Sequence, residues 1–144
     1  MSSVGGMFSQ GSIPVLEKVV AFTEARHTLL AQNIANASTP GYKPVDLDEG
    51  EFRSLLQKAI AERDADHPGV FRMDRSDHFA SRADGTLEAR AVRLRGGEVR
   101  HDGNAFNPER QMSQLADNTL THERAVQLLA SSYRLLETAI RGRV

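Results

Sequence analysis

Five side chains of metal-ligating type fall in two short runs: Asp74, Asp77 and His78, then His101 and Asp102. Carboxylate oxygens and imidazole nitrogens this close together can hold a divalent cation. No His-Glu-x-x-His or calcium-loop spacing accompanies them, and charge clusters in polar loops are ordinarily just solvated. A small metal-binding enzyme built on this polar segment is therefore the alternative reading, not the leading one. Gly96-Gly97 lacks the following Gly-Lys-Ser/Thr of a phosphate-cradling loop. Arg90, Arg93, Arg95 and Arg100 form a local basic patch, suited to anionic headgroups or an acidic partner. It lacks the interleaved aromatics of a nucleic-acid platform. Cysteine is absent, so thiolate chemistry, disulfides and Cys-ligated zinc are out. No catalytic residue, cofactor, metal or small-molecule substrate is assigned.

The most distinctive stretch does mechanical work instead. Asn33-Ile34-Ala35-Asn36-Ala37-Ser38-Thr39-Pro40-Gly41-Tyr42 reads as a helix running into a rigid corner. Pro40 disfavours helix at Thr39. Pro40-Gly41 suits the two central positions of a type II turn, with Gly41 supplying the positive φ. Tyr42 is then projected with its ring free to pack and its hydroxyl free to bond. Asn33 and Asn36 lie three apart, on one helix face, where two amides can satisfy backbone groups of a neighbouring chain.

The elements that position this corner follow from where helix breakers fall. No Gly or Pro occurs between Pro14 and Pro40, or from Glu109 to Arg141. Seven of the 11 glycines lie between Gly41 and Gly103. The spacing predicts two helical arms around a broken middle. In the first arm Val15, Leu16, Val19, Val20, Phe22, Leu29, Leu30 and Ile34 form an apolar stripe. In the second, Met112, Leu115, Thr119, His122, Val126, Leu129, Tyr133, Leu136 and Ile140 follow alternating steps of three and four. That is a heptad pattern with two polar interruptions. Asn107 suits the N-cap and Pro108 the first helical position. Residues 109–141 as helix would make a rod of roughly 50 Å. The predicted interface residues are thus Leu16, Val20, Leu30 and Ile34 with Met112, Leu115, Val126, Leu129, Tyr133, Leu136 and Ile140. The two arms are expected to pair, within a chain or between subunits, and the long second stripe favours packing between subunits. His122 on that stripe reads as a hydrogen-bonded interface histidine.

The middle is less legible. Asp48 and Glu51 resemble a capping box, and Leu47 with Phe52 a hydrophobic staple. Phe52, Leu55, Leu56, Ala59 and Ile60 then predict a short amphipathic helix over about 48–62. Beyond it, loops and at most a weak hairpin near Leu87–Leu94 are expected. The fold class is mainly α: a coiled coil of long N- and C-terminal helices, a short third helix and an irregular, weakly β middle. The division reads 1–11 flexible N-terminus, 12–43 helix and turn, 44–107 middle, 108–144 C-terminal helix.

Composition sets the outer bounds. The 144 residues suit one domain. Hydrophobic residues are 40% and charged residues 26%, which excludes a disordered polyelectrolyte. A net charge of −1 argues against nucleic acid. Aromatics are only 6%, with no Trp, so the core is expected to rest on Leu, Val, Ile and Ala. The longest apolar run near the N-terminus is Val19-Val20-Ala21-Phe22. That is too short for a secretory signal of about 7–15 apolar residues.

Ala35-Asn36-Ala37-Ser38-Thr39-Pro40-Gly41-Tyr42 resembles the signature ending the N-terminal helix of bacterial flagellar rod and hook axial proteins. The C-terminal arm is similar to the proximal rod branch, in Asp102-Gly103-Asn104, Met112, Leu115-Ala116, Asn118, Leu120, Val126-Gln127-Leu128-Leu129 and Ala139-Ile140-Arg141-Gly142-Arg143. Ala105-Phe106-Asn107 and His122 depart from the usual pattern of that branch. The resemblance implies a non-enzymatic structural subunit of the basal-body rod, a coiled-coil component of the hollow drive shaft for motility. It implies an assembly motif at Asn33, Asn36, Thr39, Pro40, Gly41 and Tyr42. The implied partners are other copies of the chain and rod proteins of the FlgC, FliE and FlgF types, beside the membrane ring and export gate. The implied location is the periplasmic rod, reached through flagellar type III export without a cleaved signal. A coiled-coil adaptor outside flagella is the remaining alternative.

Overall fold

A computed structural model describes residues 3–65, 71–84, 86–93 and 107–142. Its elements are α1 (Ser3–Ala35), β1 (Val45–Asp46), α2 (Glu49–Ala65), β2 (Phe79–Ser81), β3 (Leu87–Ala89), β4 (Val92–Arg93) and α3 (Pro108–Arg141). The mainly α architecture with two long terminal helices matches the sequence expectation. No helix among the described residues is long and apolar enough to cross a membrane.

α1 starts at Ser3 rather than near 12, and it runs through Pro14. Extending a formed helix adds about one hydrogen bond per residue fixed, whereas starting one is costly. A single proline removes one such bond. The segment expected to be flexible is therefore helical from Ser3 onward.

α3 begins as its sequence implies. The Asn107 side chain accepts hydrogen bonds from the Glu109 and Arg110 backbone N–H groups, and Pro108 opens the helix. At α2, Asp48 Oδ1 accepts from Glu51 N at 2.9 Å. The return half of the capping box is not made, because the Glu51 carboxylate turns to the His78 ring instead. Leu47 and Phe52 are both buried, as the staple requires.

Both α2 and α3 run antiparallel to α1, on its two flanks. Phe22 stacks on Phe52, Arg26 reaches Glu49, and Arg63 reaches the Gly11 carbonyl. On the other flank Asn33 meets Gln111, Thr23 meets His122, and Glu17 meets Tyr133. Two small antiparallel ribbons complete the middle. β2 pairs with β3, setting Phe79 opposite Ala89, and β1 pairs with β4, setting Val45 opposite Arg93.

The core is aromatic, contrary to the composition argument. Phe22 and Phe52 stack with centroids 4.1 Å apart, and Phe79 tilts against them at 6.0 and 5.7 Å. Leu47, Ala59 and Met73 close the cluster. Three rings from three elements do what many aliphatics would otherwise share, and each buries a large area in one place. The middle segment is thereby anchored to α1, with the short helix and weak strands expected of it.

Candidate functional site

The corner after α1 folds as its residues dictate. Tyr42 N donates to Thr39 O at 3.2 Å, closing a turn with Pro40 and Gly41 at its centre. Gly41 has φ +75°, a conformation that side-chain-bearing residues adopt only at a cost. Asn36 stays local: its Nδ2 donates to Gln32 O at 2.9 Å, and its Oδ1 accepts from Thr39 Oγ1 at 3.2 Å.

Asn33 is the centre of the corner, with 0% of its surface exposed. Its Oδ1 accepts from the Tyr42 hydroxyl at 2.8 Å and from Val45 N at 3.2 Å. Its Nδ2 donates to Val45 O at 2.7 Å and to Gln111 Oε1 at 3.1 Å. One amide thus joins the turn, β1 and both arms. This corrects the expectation that Asn33 serves a neighbouring chain: both ends of its amide are engaged inside its own.

Below the corner, Arg26 forms a bidentate pair with Asp46, Nε to Oδ1 at 3.0 Å and Nη2 to Oδ2 at 3.1 Å. Its Nη1 also donates to Glu49 Oε2 at 2.9 Å. Burial alone would lower the guanidinium pKa, but the hydrogen bond and charge of Asp46, helped by Glu49, raise it. Sequence reasoning missed this group. The available signal was a lone cation four residues after Phe22 on an otherwise apolar face.

The seam between α1 and α3 is not the stripe the sequence suggests. The α3 side chains turned toward α1 are Gln111, Leu115, Asn118, His122, Ala125, Leu129, Ser132 and Leu136, all buried or half-buried. Leu115, His122, Leu129 and Leu136 are shared with the expected stripe, and His122 is the hydrogen-bonded histidine expected there. The other half sits one residue earlier, and it is small or polar. Met112, Val126, Tyr133 and Ile140 are instead 55, 42, 46 and 71% exposed. The reason is packing between backbones: Ala125 and Ser132 permit close approach, and the polar residues find partners. Asn118 Nδ2 donates to Thr23 O at 2.8 Å, and Thr23 Oγ1 lies 2.8 Å from His122 Nδ1. Tyr133 OH donates to Glu17 Oε1 at 2.6 Å, which raises the phenol pKa through that hydrogen bond first, then desolvation and the carboxylate charge. Such polar rungs fix helix register, because a slip would bury them unpaired. On α1, Leu30 is fully buried, while Leu16, Val20 and Ile34 are half-buried.

Two of the candidate metal ligands, Asp74 and His78, are taken up elsewhere, and Asp77 is exposed. Asp74 Oδ2 accepts from Lys58 Nζ at 2.6 Å, a hydrogen bond that raises the lysine pKa. His78 pairs with Glu51. Among the described residues no three His, Asp or Glu side chains converge as a metal site. His101, Asp102, Arg95 and Arg100 lie outside the described residues.

No family model matches the chain. It is 30% identical to the flagellar basal body rod protein FlgB of Salmonella typhimurium over 118 residues, 81% of this chain and 83% of that protein. The FlgB of Cereibacter sphaeroides is 33% identical over 127 residues, 87% of this chain and 90% of the relative. The Escherichia coli FlgB is 30% identical over 110 residues, 76% and 78% of the two chains.

Proposed function

The chain belongs to the FlgB family of flagellar basal body rod proteins, and on that footing we propose that it is a non-catalytic rod subunit that assembles through its terminal helices. The observation that carries this reading is the outer flank of α3. After α1 has been satisfied, Met112, Val126 and Ile140, with the ring of Tyr133 whose hydroxyl Glu17 holds, still project into solvent along one heptad position of α3. Apolar burial is worth roughly 25 cal/mol per Å², so such a stripe favours further partners. Polar rungs hold the two arms of one chain in register, and the exposed stripe is left for neighbours.

In this role the subunit is part of the hollow drive shaft, beside rod proteins of the FlgC, FliE and FlgF types, next to the membrane ring and export gate. It reaches the periplasmic rod through flagellar type III export. The Asn33, Asn36, Thr39, Pro40, Gly41 and Tyr42 corner acts as the assembly motif indirectly, by setting the angle at which α1 passes into β1 and meets α3.

A swimming assay tests both levels. A host lacking its own copy of the gene should be non-motile, should show no rods by electron microscopy, and should recover with the wild-type chain. Gly41→Val combined with Tyr42→Phe strains the turn and removes the hydroxyl on Asn33, and should fail to restore motility. Full motility in the deletion host would overturn the rod reading. Full motility with the double variant would overturn the role of the corner.

A further inference from the structure

α1 carries a break in its own hydrogen-bond ladder. Pro14 stands inside the helix. It has no N–H to give the Gln10 carbonyl four residues back, and its ring crowds that carbonyl. The section before the break has little to hold it by itself. Residues 3–13 include Gly5, Gly6 and Gly11 and three serines, types that favour a helix interior less than alanine or leucine. Extension of the formed helix must cross a missing bond to reach them. They are helical nonetheless, from Ser3 onward.

Another element supplies a donor at this joint. Arg63, in the last turn of α2, donates from Nη1 to the Gly11 carbonyl, one residue past the carbonyl that Pro14 leaves unanswered. A guanidinium makes a charge-assisted bond, roughly twice as strong as a neutral one. Gly11 leaves room for it: a Cβ there would stand 3.6 Å from Nη1, in ordinary contact, so a larger side chain would meet the guanidinium. We propose that Pro14 is a hinge in α1 and that Arg63 is the clamp that keeps it closed. With the clamp on, the first turns of α1 are helical. With α2 lifted they are released, while the rest of α1 stays on α3 through Glu17, Thr23 and Asn33. α2 is itself seated by the Phe22–Phe52 stack, eleven residues before Arg63 and roughly 16 Å away along the helix. Whatever moves α2 therefore acts on the N-terminal section without touching it.

Hydrogen exchange on the full chain, read amide by amide, tests the clamp. The first four amides of a helix have no intrahelical acceptor, so residues 7–13 report. Arg63→Met keeps the apolar stem and removes every donor. It should lower protection at residues 7–13 about tenfold, the size of a lost hydrogen bond to a charged group, and leave residues 15–35 and α3 unchanged. Arg63→Lys keeps a cationic donor and should hold most of the protection. Pro14→Ala returns the missing N–H to the ladder. In a Pro14→Ala chain, Arg63→Met should therefore cost clearly less than it does beside the proline. Unchanged protection at residues 7–13 in Arg63→Met overturns the clamp. An equal fall through residues 15–35 and α3 also overturns it, because Arg63 would then hold the whole fold and not the joint. The same tenfold loss with and without Pro14 overturns the hinge.

Discussion

Two regions of this molecule are held by opposite means. The cluster under α2 is aromatic, with Phe22, Phe52 and Phe79 packed on one another. The α1–α3 seam is built on Gln111, Asn118, His122, Ala125 and Ser132, with leucines only on alternate turns. The aromatic cluster supplies energy without directional demands. The seam supplies register, since each polar rung has one partner at one height. A subunit that must present a fixed outer face to its neighbours needs both: an anchor that holds the middle on α1, and a ruler that sets where α3 lies.

The sharpest way to break the comparison is at the anchor. Phe52→Ala removes a ring from the stack and should cost about 3–5 kcal/mol in denaturant unfolding. Hydrogen exchange should then show α2 and the β2–β3 hairpin losing protection while α1 opposite α3 keeps it. Equal loss in both would mean that the two regions form one cooperative unit.

The next largest effect is expected at the ruler. Asn33→Ala leaves the Tyr42 hydroxyl, the Val45 backbone and the Gln111 amide short of partners, and unsatisfied buried polar groups cost about 1–3 kcal/mol each. At the low end of that range for each group, a total loss of about 3 kcal/mol is expected, with the Tyr42 corner losing its order in NMR spectra. A change under about 0.5 kcal/mol would show that water replaces the amide and that the corner is held by Pro40 and Gly41 alone.

The smallest effect is at the solvent-exposed rung. Glu17→Gln should bring the Tyr133 pKa back down toward the usual phenol value of about 10, read by ultraviolet titration against Tyr42. The sign follows from the raised value. The folded chain holds the phenol proton more tightly than the unfolded one, so the contribution is complete below the unfolded pKa. It is lost as pH rises through the folded one. A Tyr133 titration unchanged by the substitution would remove this rung from the seam.

The particular residues show where sequence reasoning had purchase. Asn107-Pro108, Asp48 and Pro40-Gly41 act within a few residues of themselves, and each does in the structure what its type demands. The phase of the seam was different. Leu115, Leu129 and Leu136 belong equally to a heptad running through Met112 and Val126 and to one running through Gln111 and Asn118. Apolar content favours the first, and close packing with paired rungs selects the second. Arg26 and Asp46 lie twenty residues apart, and nothing local to either announces the other. Glu51 has the spacing of a cap residue, and its actual partner, His78, is distant in sequence.

The sequence by itself therefore determined the two arms, the corner between α1 and β1, the start of α3 and the family, because those depend on short-range dihedral preferences and a contiguous motif. Only the tertiary structure decided which face of α3 meets α1, which amide joins the corner to both arms, and which apolar ridge is left over. Those are set by pairs of groups that meet only when the chain is folded, where the cost of burying a polar group unpaired outweighs the gain from burying one more aliphatic side chain.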